Sequence, residues 1–287
     1  MAYLTGLAET KCCDLPLVFT DIFFGDMSST IRDLLIGLIT SVIAGFSVWF
    51  WERFRRKLDL NRKSSFFGTR PNENCLVIIN HNPRGRDLLS HWDVETVVEI
   101  VKIICEINGE VLISAFDKAL EPAGEITEFC VGSPDSNERT EAHIKNFMQN
   151  FSNTPSSKDS LDSLAIHIAG ETYRHKRGEL EYVVLARIIP DQYSHPIFVV
   201  SGQSSLGNKA SIYFLAKNYK KLLWDKYKYD SFCLLLRIRE PKLYGYKSVE
   251  LVKDVTEKVL VKEVRQNSRF RNEIKQSRWE RLRKSYR

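Results

Sequence analysis

Eighteen consecutive residues without a charge, Leu34–Trp51 (LLIGLITSVIAGFSVWFW), constrain this chain more than any other feature. At 1.5 Å per helical residue they nearly match a bilayer core of about 30 Å. Trp49 and Trp51 close the run, where an amphipathic indole suits the membrane–water interface. Arg53, Arg55, Arg56, Lys57, Arg62 and Lys63 follow, whereas residues 1–31 carry only Lys11. This asymmetry predicts a single-pass helix with its N-terminus outside and the bulk of the chain in the cytoplasm, at the cell inner membrane. A cleaved leader would carry its cations before the apolar run, which is the reverse of this order. A buried core helix is the competing reading, and the dense cationic flank opposes it. Gly37, Ser41 and Gly45 recur every four residues and so share one helix face, a spacing that lets two backbones approach in lipid and predicts a homo-oligomer.

The rest divides by composition into 1–33, an extracytoplasmic segment; 52–71, a basic juxtamembrane linker; 72–260, a cytoplasmic domain; and 261–287, a basic tail. The whole chain carries a formal charge of +6. From Lys262 onward the balance is +7, leaving −1 for everything before it. The basic character therefore belongs to the tail, which favours anionic lipid over nucleic acid as its partner. Six cysteines show no CxxC spacing, and six histidines show no ligand spacing, so no metal is expected. Cys75, Cys130 and Cys233 fall in apolar runs, and Cys105 falls on the expected apolar face of a helix, as buried thiols do.

Within 72–260, apolar strand-like runs alternate with helix-like patterns, the signature of an α/β fold built on a mostly parallel sheet. Strands are expected at Cys75–Asn80, Glu110–Ala115, Ile126–Val131, Leu164–Ala169, Tyr182–Ile189, Pro196–Val200 and Phe232–Ile238. Ser248–Leu260 reads as a further strand or short helix. Asp93 is placed to cap a helix whose apolar face would be Val94, Val97, Val98, Val101, Ile104 and Cys105. Further helices are expected near Ser136–Phe151 and Gly207–Trp224.

Two strand-to-helix loops share a design. One carries Gly132, Ser133 and Asn137; the other carries Ser201, Gly202, Ser204, Ser205 and Gly207. Glycine permits close approach of a ligand, and a helix N-terminus offers free N–H groups to an anion. Arg84 and Arg86, after the first strand, add guanidinium groups suited to phosphate. These residues form the expected ligand site. No GxxxxGK[ST] or GxGxxG run is present, and turn formation alone would account for either loop singly. Asp135 and Glu138 are the weak candidates for acid–base chemistry; their alternative role is to stabilise a helix dipole. No triad or hydrolase elbow is visible.

The layout, carried by Leu34–Trp51, Phe129–Phe147 and Phe198–Trp224, resembles bacterial anti-phage effectors that fuse a short membrane anchor to a Rossmann-like nucleotide-sensing domain. The resemblance implies a Rossmann-like, three-layer domain that binds a nucleotide second messenger or protein activator. It further implies that binding drives anchor clustering and membrane disruption without turnover or a bound cofactor. The chain lacks the GGxxG-type loops of the better-known members of that class. Alternatives are a membrane-tethered enzyme acting on a nucleotide or nucleotide sugar, and a lipid- or protein-binding scaffold.

Overall fold

The computed structural model describes residues 29–80, 89–115, 121–155, 157, 163–191, 194–224 and 231–265. The chain divides into two compact units, 1–58 and 59–287. The described residues of the first are helical: α1 (Ser29–Phe67) begins there, and the segment from Asp33 is long and apolar enough to cross a membrane. None of its most apolar window is buried, and Leu34, Leu38, Val42, Phe46 and Trp49 are all exposed. A soluble core helix mostly hides such side chains.

The second unit is α/β. A seven-stranded sheet has the order β10-β9-β7-β8-β3-β1-β2. Its members are β1 (Asn74–Ile79), β2 (Glu110–Ala115), β3 (Thr127–Val131), β7 (Leu180–Ile188), β8 (Ile197–Gly202), β9 (Phe232–Arg239) and β10 (Val249–Asp254). β2, β1, β3 and β8 are mutually parallel, β7 runs against both β8 and β9, and β10 runs against β9. Five strands therefore point one way and two the other. A separate antiparallel sheet joins β4 (Phe151–Asn153), β5 (Ile166–Ile168) and β6 (Glu171–Tyr173).

Alternating side chains along the buried strands feed two cores. Cys75, Val77, Phe129, Val131, Phe198 and Val200 face α2 (His91–Cys105) and α4 (Ser205–Trp224). Val184, Ala186, Ile197, Val199 and Leu235 face α3 (Glu138–Phe147), the small sheet and a short α6 (Thr256–Val259), which follows the single-turn α5 (Pro241–Tyr244). The unit thus has three layers.

The structure departs from the sequence reading in several places, among them the helix expected near Ser136–Phe151, which ends at Phe147 before Phe151 opens β4. The segment 52–71, expected as a linker, remains helical through Phe67, and Phe66 and Phe67 are fully buried in the first core. Val264, at the start of the expected tail, packs into the second core. On α2 the buried residues are Asp93, Thr96, Ile100, Ile103 and Ile104, while Val94, Val98 and Cys105 are exposed. The N-cap of α2 is Ser90 rather than Asp93.

Gly68 ends α1 in the left-handed region at φ +73, and a Cβ there would lie 2.2 Å from Pro196 Cδ. His195 Nδ1 sits 2.8 Å from the Gly68 carbonyl, and Thr127 Oγ1 donates to the Phe67 carbonyl at 3.3 Å. Both the backbone angle and the space therefore demand glycine. Gly68→Ala is expected to destabilise the domain by more than about 1 kcal/mol, read as a lower urea midpoint with an unchanged slope.

Candidate functional site

β1 lies between β2 and β3, so the chain leaves it through α2 towards one side of the sheet and later returns on the other. α2 and α3 cover opposite faces. The carboxyl ends of β1 and β3 therefore form a topological switch point, where open α/β sheets hold ligands. Asn80 follows β1 there, Gly132–Asn137 follows β3, and the Gly202 loop follows the neighbouring β8.

Gly132 has φ +124, and a Cβ on it would stand 2.8 Å from Asn80 Cβ. Glycine thus lets the Asn80 side chain lie across the turn. Asn80 Nδ2 reaches Ser136 Oγ at 3.5 Å, whereas its buried Oδ1 has no hydrogen-bond partner among the described residues. The Ser133 and Ser136 hydroxyls are 3.2 Å apart. Asn137 is the N-cap of α3: its Oδ1 accepts from Thr140 N at 3.1 Å and its Nδ2 donates to the Val131 carbonyl at 3.1 Å. Both of its polar atoms therefore serve the fold.

The second loop is equally interlocked. Gly202 N donates to Asn208 Oδ1 at 3.0 Å, and a Cβ at Gly202 would meet that oxygen at 2.7 Å. Ser204 Oγ accepts from Gly207 N at 3.1 Å and donates to the Glu181 carboxylate. Ser201 is fully buried, and its Oγ accepts from Asn153 Nδ2 at 3.2 Å. Asn153 Oδ1 is a further buried oxygen without a partner among the described residues. Ser205 opens α4, and a Cβ at Gly207 would meet nothing closer than 3.7 Å, so packing requires Gly202 but not Gly207.

Asp93, in the first turn of α2, is only 5% exposed. Ser90 Oγ donates to its Oδ2 at 2.8 Å, and the Asn208 side chain and the Ser90 backbone N–H also bond the carboxylate. Burial raises its pKa, with Ser90 and the nearby Asn208 side chain opposing. Lys209 is engaged elsewhere: its Nζ donates to the Glu95 carbonyl at 3.1 Å and Glu99 Oε2 at 3.2 Å. Glu138 and Glu141 occupy the first turn of α3, complementing its dipole, and burial followed by Glu141 raises the Asp135 pKa. The described edge is thus rich in acceptors and acidic groups. Arg84 and Arg86 lie outside the described residues.

Sequence reasoning missed a second constellation. Glu128 on β3 is almost fully buried and pairs with Arg139 through two contacts of 2.9 Å, from Nε to Oε1 and from Nη2 to Oε2. His143 Nε2 lies 2.8 Å from Glu128 Oε1, and Cys130 Sγ donates to the same oxygen at 2.8 Å. Glu128, Cys130 and His143 could together hold a metal ion. The guanidinium already in place competes for that role, because it supplies positive charge to both carboxylate oxygens. The available signal was a glutamate inside the apolar run TEFCV, with Arg139 and His143 four apart on the next helix.

On α1, Gly37 and Gly45 have open space where a Cβ would sit, and Ser41 Oγ donates to the Gly37 carbonyl at 2.8 Å. The small-residue face carries no unsatisfied hydroxyl from Ser41. No family model matches the chain, and neither a curated protein nor a solved structure matches it.

Proposed function

We propose that this chain is a single-pass membrane protein whose α/β domain, on the cytoplasmic side, binds a nucleotide-type ligand at the β1–β3 switch point. Ligand binding shifts association of the anchors through the Gly37, Ser41 and Gly45 face. Membrane disruption in antiviral defence is the use that the resemblance implies for such a device. The carrying observation is the reversal of strand order at β1, with Asn80, Gly132 and Ser136 gathered at its carboxyl end. The exposed apolar length of α1 supports the membrane part of the reading. The arginine and lysine count on its two sides supports the orientation.

The test uses the full chain in detergent micelles, melted with each ribonucleoside 5′-monophosphate and with cyclic nucleotides. A ligand at about 100 times its dissociation constant stabilises a fold by about 2.7 kcal/mol. A selective rise in melting temperature is expected, accompanied by more crosslinked oligomer in liposomes. Gly37→Leu with Gly45→Leu should abolish the oligomer and preserve the thermal shift, since an added Cβ at either position meets nothing within 4 Å among the described residues. A folded chain that no member of the panel stabilises would count against nucleotide binding.

A further inference from the structure

We propose that the outer edge of β2 is where two copies of this chain join, the β2 strands pairing antiparallel across a two-fold axis at Leu112. This rests on the anchor half of the reading above, which brings the second copy, and not on a ligand.

The two edges of the seven-stranded sheet are built differently. At one, β10 carries Glu250 and Lys253, which bond Arg237, Arg239 and Glu171, and its ladder to β9 slips between Leu251 and Lys253. Charges and a broken register keep an edge from pairing with another chain. β2 has neither protection. Among the described residues it pairs with β1 alone, in unbroken register, and its one charge is Glu110 at the first position. Leu112 is 41% and Ile113 55% exposed, on opposite faces of the strand.

The backbone sets the register. Glu110 N donates to the Glu73 carbonyl at 2.9 Å. In a parallel ladder Glu110, Leu112 and Ser114 then turn their N–H and C=O groups to β1, and those of Val111 and Ile113 point out of the sheet. An antiparallel partner must meet the outward groups, and an axis at Leu112 does so. Val111 lies opposite Ile113 of the second copy, Leu112 opposite its own counterpart, and Glu110 opposite the uncharged Ser114. Apolar residues meet apolar ones and no like charges meet. An axis at Ile113 would instead set Leu112 against Ser114.

α2 extends this surface. It rests on β1 and β2, whereas α4 rests on β7 and β8. Lys209 Nζ bonds the Glu95 carbonyl and the Glu99 carboxylate on the flank towards α4. The other flank, on the side of β2, carries Val94, Val98 and Cys105, exposed and at helical spacing. Val111 packs in the core that α2 covers, so the two-fold brings both α2 helices to one side of the joined sheet. A strand and a helix flank fall short of the roughly twenty to thirty residues a side of a standard interface. Pairing therefore needs copies already held together in one membrane.

The test uses the full chain in liposomes, with Cys12, Cys13 and Cys105 changed to serine and one cysteine introduced at a time. Under mild oxidation Leu112→Cys should give a disulfide-linked dimer, because residues facing each other across such an axis have Cα atoms about 4.5 Å apart. Ser114→Cys should not, since its two copies lie about 14 Å apart. Leu112→Glu sets two carboxylates face to face and should lower the amine-crosslinked oligomer about fivefold, with an unchanged melting temperature.

No Leu112→Cys disulfide while amine crosslinking persists, equal yields from Leu112→Cys and Ser114→Cys, or an undiminished oligomer in Leu112→Glu would overturn the edge interface and leave anchor association intact. A Leu112→Cys disulfide that survives Gly37→Leu with Gly45→Leu would keep the interface and remove the anchors as its source. Absence of both kinds of crosslink would remove the anchor reading and this one with it.

Discussion

Phe66→Ala is expected to destabilise the α/β domain by about 3–5 kcal/mol, and Phe67→Ala by a similar amount. Both side chains are fully buried. The Phe66 ring centroid lies 5.1 Å from Phe67, 6.2 Å from Tyr219 and 6.3 Å from Phe232. Phe67 adds contacts at 5.7 Å to Phe198 and 6.4 Å to Phe129, which stack on each other at 4.5 Å. Truncating either ring removes apolar burial and leaves a cavity between elements that cannot collapse onto it, since β3 and β8 are locked in register around Phe129 and Phe198. Urea unfolding of the full chain in micelles, followed by near-UV circular dichroism, measures the loss. Phe50→Ala is the control: Phe50 is 56% exposed on α1, so the same deletion should leave the domain's urea midpoint unchanged. An unaffected midpoint in Phe66→Ala would mean that the end of α1 is a tether and not part of the core.

That result bears on what the sequence could and could not reveal. Leu34–Trp51 was legible because a long uncharged run has few folded solutions. The Gly132 and Gly202 loops were legible because each follows an evenly apolar strand, and both lie at the carboxyl ends of parallel strands. Phe66 and Phe67 were hidden behind a polar, basic stretch, because the solvent-facing residues of a helix have the same composition as a linker. The buried stripe of α2 was misphased since VETVVEIVKIIC is apolar on more than one face, and periodicity cannot choose among faces that all qualify.

Strand direction was readable but needed chain length rather than polarity. Only Ile189–Pro196 connects β7 to β8, too short for a parallel crossover, which takes a dozen or more residues. The antiparallel insertion of β7 follows from that spacing. The side-chain oxygens of Asn80 and Asn153, which lack a partner among the described residues, were not legible at all, since a missing partner exists only once the neighbours are placed.

The Glu128 network gives the second large effect. Glu128→Ala should destabilise the domain by about 3–5 kcal/mol, because it leaves the Arg139 guanidinium without its counter-charge next to buried His143. Burial alone would raise the Glu128 pKa, but hydrogen bonds from His143 and then Arg139 outweigh it and hold the value at about 2. A folded pKa below the ordinary 4.5 means that the unfolded chain binds more protons in between, so stability rises with pH across that window. The contribution is fully present above about pH 4.5 and is lost as pH falls towards 2. Urea midpoints measured from pH 6 to pH 2.5 should therefore fall steeply in wild type and less steeply in Glu128→Gln. Asp93, with its raised pKa, acts in the opposite sense, so Asp93→Asn should steepen the same acid limb. Arg139→Ala combined with Glu128→Ala should cost much less than the sum of the single changes, since each alone strands the other. The same cycle separates an ion pair from a metal centre. If Arg139 supplies the positive charge, a chelator leaves the melting temperature unchanged. A fall on chelation, reversed by added zinc, would instead assign Glu128, Cys130 and His143 to a bound cation.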